Sequence, residues 1–308
     1  MNAPKVIVLI LSYDGKALLE DAVPSYLANT YLNFEVIVVD NGSSDGTKAY
    51  VEENWPEAEV YRSEQNLGYS GGFNFGLEYA FRQRGADYVL ITNNDVKADP
   101  QAVSALVKTA EKSETIGFVT GKVFYFDAPE LFQTAGYTED PLTGMVQHRG
   151  QKEADRGQYA QDEPLVSSDD VFMLVRREVY EQVGGYDTNF FIQGEQWDWQ
   201  ERGKKKGFEV YFSAGAKIWH KESMTIGRTS AFKLFYDLRN NLIVIFEHKS
   251  ARQFARYFWK SFKHQFIIGG LKHFLKARFT HAYSSVAGFL SGFMWVLRDR
   301  RITLRHFI

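Results

Sequence analysis

Short apolar, β-branched runs punctuate the first hundred residues, at 6–11, 36–39, 60–62 and 89–92. Helix-like segments separate them at 18–27, 47–54 and 72–84, and this alternation predicts a parallel sheet with crossover helices. Asp45-Gly46-Thr47 makes a turn into the second helix, with Asp45 or Thr47 available to cap it. Asp99-Pro100 starts another helix over 101–112, where Pro100 occupies a tolerated first-turn position. Residues 171–175 and 210–212 read as further strands, and 177–183 and 197–206 as helices. Between 124 and 164 the pattern loosens into a Gly-, Gln- and charge-rich stretch, read as a long excursion over the sheet rather than a linker. From residue 231 the chain reads as helical.

With 308 residues and 44% hydrophobic side chains, the chain can bury a full α/β core and carry an appendage. The expected division is a catalytic domain over 1–230 and a basic, aromatic-rich helical region over 231–308. The absence of cysteine excludes a disulfide framework and a thiolate nucleophile, so any metal must use oxygen or imidazole ligands. The apolar run at 6–11 is too short for a signal peptide and reads as a core strand, which gives a cytoplasmic expectation. A net charge of −2 hides an asymmetry: from Arg228 onward, 15 Lys and Arg face only Asp237, Glu247 and Asp299. Two functionally different regions follow from that imbalance.

Candidate chemistry gathers at predicted strand ends. Asp40 closes a β-branched run before an acidic, Gly-punctuated loop, where it either contacts a ligand or makes a turn. Asn93-Asn94-Asp95 repeats the design after residue 92, as a hard oxygen site for Mg²⁺ or Mn²⁺ or as an Asx turn before the next helix. Asn66-Leu67-Gly68-Tyr69-Ser70-Gly71-Gly72 sets small residues at a helix start, suited to a phosphate or to close packing on the sheet. Its glycines lack G-x-G-x-x-G spacing, which counts against a dinucleotide-binding dehydrogenase. Glu195 and Asp198 stand three apart at a helix start, as bases for an acceptor hydroxyl or as capping acids. His220 is a structural imidazole or a ligand to a metal held by Asp95.

In this order, these segments resemble the inverting family 2 glycosyltransferases of the GT-A fold over about residues 5–245. The resemblance implies a mostly parallel, helix-flanked sheet with a helical C-terminal appendage. It implies that Ser12, Tyr13, Asp14 and Asp40 line the base and ribose pocket, and that Asn66, Gly68 and Gly71 belong to the next nucleotide-binding signature. Asn94 and Asp95 fall on the D-x-D-like metal position, and His220 on the late metal or diphosphate ligand. Glu195 falls on the acidic pair, here Glu195-Gln196, which assigns the base to Glu195 with Asp198 in reserve. Asn93 replaces a common Asp, leaving Asp95 as the one carboxylate ligand. Asn93-Asn94-Asp95, Met173-Leu174-Val175-Arg176-Arg177, Gly184-Gly185-Tyr186-Asp187 and Arg239-Asn240 look most like the rhamnosyltransferase-like branch.

That branch implies a nucleoside-diphosphate sugar donor, TDP-rhamnose first and UDP-sugars next, and a glycan or lipid-linked acceptor. Two rivals are a sugar-1-phosphate nucleotidyltransferase and a non-catalytic glycan-binding protein of the same fold. The first expects a basic Gly-rich loop after the first strand, where Ser12-Tyr13-Asp14-Gly15-Lys16 offers only Lys16. The aromatic and cationic tail suits the inner face of an anionic membrane; packing on the catalytic domain or on a second subunit is the alternative. The uncharged run 282–297 is too short to span a bilayer. Nucleic acid is disfavoured by the acidic larger region.

Overall fold

A computed structural model describes residues 3–221 and 230–298. They divide into two compact units, one holding 3–138, 148–191 and 195–221, the other 139–147, 192–194 and 230–298.

In the first unit, β1 (Val6–Ser12) leads to α1 (Leu19–Leu27), β2 (Phe34–Asp40) to α2 (Thr47–Asn54), and β3 (Glu59–Arg62) to α3 (Gly68–Glu78). Then come β4 (Tyr88–Asn93), β5 (Val96–Ala98), α4 (Ala102–Ala110), β6 (Ile116–Tyr125) and β7 (Phe132–Thr134). β8 (Tyr137–Glu139) and β9 (Val146–His148) form a separate two-stranded sheet. β10 (Glu163–Leu165), β11 (Phe172–Arg176), α5 (Arg177–Val183), α6 (Glu195–Lys204) and β12 (Glu209–His220) follow.

The main sheet runs β10-β12-β6-β11-β4-β1-β2-β3, with β5 added to β12 and β7 to β6. β3, β2, β1 and β4 are mutually parallel, whereas β11 lies antiparallel between β4 and β6. The sheet is therefore parallel in its first half and mixed beyond it. Successive residues of β1 face opposite sides: Val6, Val8 and Ile10 join one core, and Ile7 and Leu9 the other. Cover on both faces explains the unbroken apolar runs of β1, β2 and β4.

On one face α3 lies very close to the sheet. A Cβ added at Gly72 would meet Leu11 at 2.7 Å, and one at Gly76 would meet Val39 at 2.7 Å. These two glycines therefore serve helix-to-sheet packing.

The 124–164 excursion carries four short strands, and just before it lies a long central strand that the sequence pattern conceals. Gly117, Gly121 and Lys122 interrupt β6, yet it hydrogen-bonds β11 on one side and β12 on the other. β12 likewise runs far past 212, through a register shift between Phe212 and Lys217 that Ser213 and Gly215 accommodate. Pairing to neighbours on both sides overrides weak local propensity here.

The second unit contains α7 (Ala231–His248), α8 (Ala251–Ser261), a π turn at Phe262–Gly269, α9 (Gly270–Leu275) and α10 (Phe279–Arg298). Ser230 caps α7 by accepting from the Lys233 amide, and Ser250 with Gln253 forms a capping box on α8. α10 packs on α7 through small residues, Gly288 against the Phe235 backbone and Gly292 against that of Arg239. No described helix is long and apolar enough to cross a membrane.

Candidate active site

The parallel register brings the ends of β1, β2 and β4 to one edge of the sheet, the usual ligand position in open α/β folds. Ser12 stands opposite Asp40, and the Asn94 side chain donates to Ser12 Oγ at 3.2 Å. The loops after β1 and β2 are stitched together: Asp14 Oδ1 accepts from the Ser44 amide at 2.7 Å, and the Asp14 amide donates to Ser43 Oγ at 3.0 Å. Asp14 adopts a left-handed φ of 44°, and Tyr13 beside it is exposed.

Asp40 is fully buried. Its Oδ1 accepts from the Ser43 amide at 2.9 Å, while Oδ2 is ion-paired to Arg62. Arg62, also bonded to the Ser43 carbonyl, is a partner of Asp40 that motif reading missed. The β2–β3 register sets it opposite Asp40, so strand pairing was the signal that could have found it.

Asn41 ties this loop to the next signature. Its Nδ2 reaches Asn66 Oδ1 at 3.1 Å and the Gly68 carbonyl at 3.0 Å. Gly68 opens α3 with φ of 75°, and a Cβ there would meet the Phe191 ring at 2.5 Å, so glycine suits both the conformation and the space. Gly71, one turn into α3, would bring an added Cβ against Leu67 alone.

Asp95 and His220, far apart in sequence, meet because β5 pairs antiparallel with β12, setting His220 opposite Val96. His220 Nε2 faces Asp95 Oδ1 at 3.1 Å, and both residues are buried. His220 Nδ1 donates to Gln133 Oε1 at 2.7 Å; that oxygen only accepts, so the proton sits on Nδ1. In a neutral imidazole with its proton on Nδ1, Nε2 would be the nitrogen that offers a lone pair to a cation. Two donors bound to one small divalent ion at about 2.1 Å in octahedral geometry lie about 3 Å apart. The spacing fits Mg²⁺ or Mn²⁺ and the carboxylate is a donor for either ion, while the imidazole is a donor for a transition metal rather than for Mg²⁺. Gln133 orients the imidazole from the excursion, where no sequence pattern marked it.

Glu195 and Asp198 both open α6 and are buried, but their surroundings differ. Asp198 Oδ2 accepts from Arg202 at 2.7 Å, and Arg202 also bonds the Val183 and Gly185 carbonyls, so this ion pair fastens α6 to the preceding loop. Glu195 instead acts electrostatically on the buried Tyr69 and Tyr186 phenols, which are pushed well above their ordinary range mainly by burial.

Those two phenols hold a third carboxyl, Asp170, which sequence reading also missed because it belongs to no recognised motif. Tyr69 donates to Asp170 Oδ1 at 3.1 Å and Tyr186 to Oδ2 at 2.7 Å, while Tyr69 also touches Asn93 at 3.2 Å. Burial, reinforced by the charge of Asp169, pushes the Asp170 carboxyl up to about 7, and the two phenol hydrogen bonds oppose the shift. The folded protein then holds a proton that the unfolded chain releases near pH 4, so stability falls as pH rises from about 4 to about 7. Asp170→Asn removes that loss. In scanning fluorimetry its Tm relative to the parent should move in the variant's favour between about pH 5 and about pH 7.5; a pH-independent difference would contradict the assignment.

The glycosyl transferase family 2 profile matches residues 7–184. Among curated relatives, the O-antigen biosynthesis protein RfbC of Myxococcus xanthus is 29% identical over 233 residues, covering 72% of this chain but only 18% of RfbC. The N-acetylglucosaminyl-diphospho-decaprenol L-rhamnosyltransferase of Mycobacterium tuberculosis is 24% identical, covering 79% of this chain and 84% of that enzyme. Two solved structures share the fold at 14% identity. GalNAc-T7 with UDP, GalNAc and Mn²⁺ aligns with a TM-score of 0.65, over 99% of this chain and 58% of that one. The mannosyltransferase PcManGT of Pyrobaculum calidifontis, with GDP-Man and Mn²⁺, aligns with a TM-score of 0.59, over 97% and 89%. With the family profile matching residues 7–184 and both structures sharing the fold, the chain belongs to glycosyl transferase family 2 and is a glycosyltransferase of the GT-A fold.

Proposed function

We propose that this glycosyltransferase moves a sugar, rhamnose first, from a nucleoside-diphosphate donor to a hydroxyl of a growing, lipid-linked cell-surface polysaccharide or oligosaccharide, inverting the anomeric carbon. The convergence of His220 Nε2 and Asp95 Oδ1 beside the β1, β2 and β4 loops carries the reading, because it provides for a diphosphate where the loops provide for a nucleoside. The rhamnosyltransferase and O-antigen relatives support the choice of sugar and acceptor class. Catalysis belongs to residues 1–230, on the inner face of the cell membrane, with 231–308 as a peripheral attachment or a contact with a second subunit.

Ser12, Tyr13, Asp14 and the Asp40–Arg62 pair receive the base and ribose, with Asn94 bracing Ser12. Asn66, Gly68 and Gly71 shape the loop and the helix start beside the phosphates. Asp95 and His220 would hold Mg²⁺ or Mn²⁺, whose charge neutralises the departing diphosphate. Glu195 takes the acceptor hydroxyl's proton as that oxygen bonds to the anomeric carbon and the bond to the diphosphate oxygen breaks, its electron pair leaving with the nucleoside diphosphate. The transition state is oxocarbenium-like, as in glycoside hydrolysis. Asp198, held by Arg202, positions the helix that carries the base.

A panel of nucleotide sugars with Mg²⁺ or Mn²⁺, scored for binding and donor hydrolysis, tests the reading. TDP-rhamnose should rank first and UDP-sugars next. Binding of glycans with no nucleotide-sugar affinity would favour the non-catalytic rival, and formation of a nucleotide sugar from a sugar 1-phosphate the nucleotidyltransferase.

A further inference from the structure

The C-terminal unit has an outer surface unlike that of an ordinary water-exposed helix pair. Of the eighteen large apolar side chains exposed among the described residues, twelve lie between Trp259 and Leu297. α10 shows why. One face, with Ser284, Ser285, Gly288, Phe289, Gly292 and Val296, is buried, and small residues let it lie close on α7. The other face is a stripe at spacings of three and four: Phe279, Tyr283, Val286, Leu290, Met294 and Leu297, all 37% exposed or more. No Asp, Glu, Lys or Arg occurs from Phe279 to Leu297. A helix with one face packed and the other in water should carry charges on the outer one; this helix is apolar on both.

The preceding segment also exposes apolar side chains, Ile267, Leu271, Phe274 and Leu275, and α8 exposes Trp259. Cations border it: Lys260 and Lys263 on one side, Lys272, Lys276 and Arg278 around the turn, and Arg298 at the far end of α10, every one of them exposed. From residue 230 to 298 the only acids are Asp237 and Glu247, both on α7.

We infer that the outer face of α8 to α10 is a monotopic membrane-docking surface, which enters the interface of an anionic bilayer edgewise while the bordering lysines and arginines meet lipid headgroups. A second copy of the chain would cover the same apolar stripe, but it would bring the same cations face to face, with few acids to answer them. An anionic lipid surface answers both the apolar stripe and its cationic border. α10 lies in the interface rather than through it, since no described helix is long and apolar enough to cross. The inference deepens the peripheral attachment proposed above by naming its surface and its partner chemistry, and it does not depend on the sugar transferred.

Flotation of the full chain with vesicles of phosphatidylcholine alone, or with about 30% phosphatidylglycerol, tests it alongside donor hydrolysis in detergent-free buffer. The wild type should float with the anionic vesicles and bind the neutral ones at least about tenfold more weakly. Leu275→Glu with Leu290→Glu should lower anionic binding by about tenfold or more, and Lys272→Glu with Lys276→Glu should do so with a shallower salt dependence. Donor hydrolysis should be unchanged in both double variants, which reports their folding. Absence of flotation by active wild-type enzyme would overturn the inference, as would a concentration-dependent dimer in sedimentation that Leu275→Glu with Leu290→Glu dissolves while vesicle binding persists. Flotation without nucleotide-sugar turnover would leave this inference standing and defeat the catalytic reading instead.

Discussion

Replacing Glu195 by Gln is expected to lower sugar transfer by about two to four orders of magnitude, the range for losing a positioned general base, while nucleoside-diphosphate affinity stays within about twofold. Glu195 sits buried at the first position of α6, beside the field of the Tyr69 and Tyr186 phenols. The substitution keeps size and shape and removes the basic site, so folding and donor binding should survive. Asp198→Asn serves as the contrast: it weakens the Arg202 ion pair that fastens α6, and its loss should appear chiefly as a lower Tm. Transfer by Glu195→Gln at the wild-type rate would remove Glu195 as the base. Transfer lost together with nucleotide affinity would point to a binding role.

The second large effect is expected at Asp95. Asp95→Ala should abolish metal-dependent strengthening of nucleoside-diphosphate binding and lower turnover by about two to three orders of magnitude, as expected when charge stabilisation at a leaving group is removed. Titration of UDP or TDP with and without Mn²⁺ separates the two consequences. Gln133→Leu provides a graded companion: it leaves Asp95 and His220 in place but removes the acceptor that fixes the imidazole proton on Nδ1. It should weaken metal affinity by about ten- to a hundredfold. Metal-dependent binding undiminished in Asp95→Ala would sink the assignment, and an unaffected Gln133→Leu would show that the tautomer is fixed by something else.

β1, β2 and β4 were legible because each is covered on both faces and is written as a continuous apolar run, and β3, half-buried at the end of the sheet, was legible from its place in the alternation. The position of Asp40, Asn94 and Asp95 at strand ends was legible for the same reason, since the apolar run stops on a polar residue there. β6 was not legible. Its glycines and Lys122 carry little strand propensity, and two long-range partners hold it in the sheet. Gln133 and Asp170 escaped for a related reason: their meaning lies in partners 87 residues away at His220, and 101 and 16 away at Tyr69 and Tyr186.

Local order along the chain therefore determined the βα alternation, the strand-end loops, the family and the basic character of the tail, because these follow from period, turn chemistry and composition. Tertiary structure alone decided which carboxylates are occupied and which face the site. Asp40 is taken by Arg62 through strand register, and Asp95 meets His220 through antiparallel pairing of β5 and β12, whereas the Asp198–Arg202 pair is local, four residues apart on one helix. It also decided that α10 turns small residues toward α7 and an uncharged stripe outward. A sequence states which groups are present. Hydrogen-bond register and packing choose their partners, and those partners set what each group is left to do.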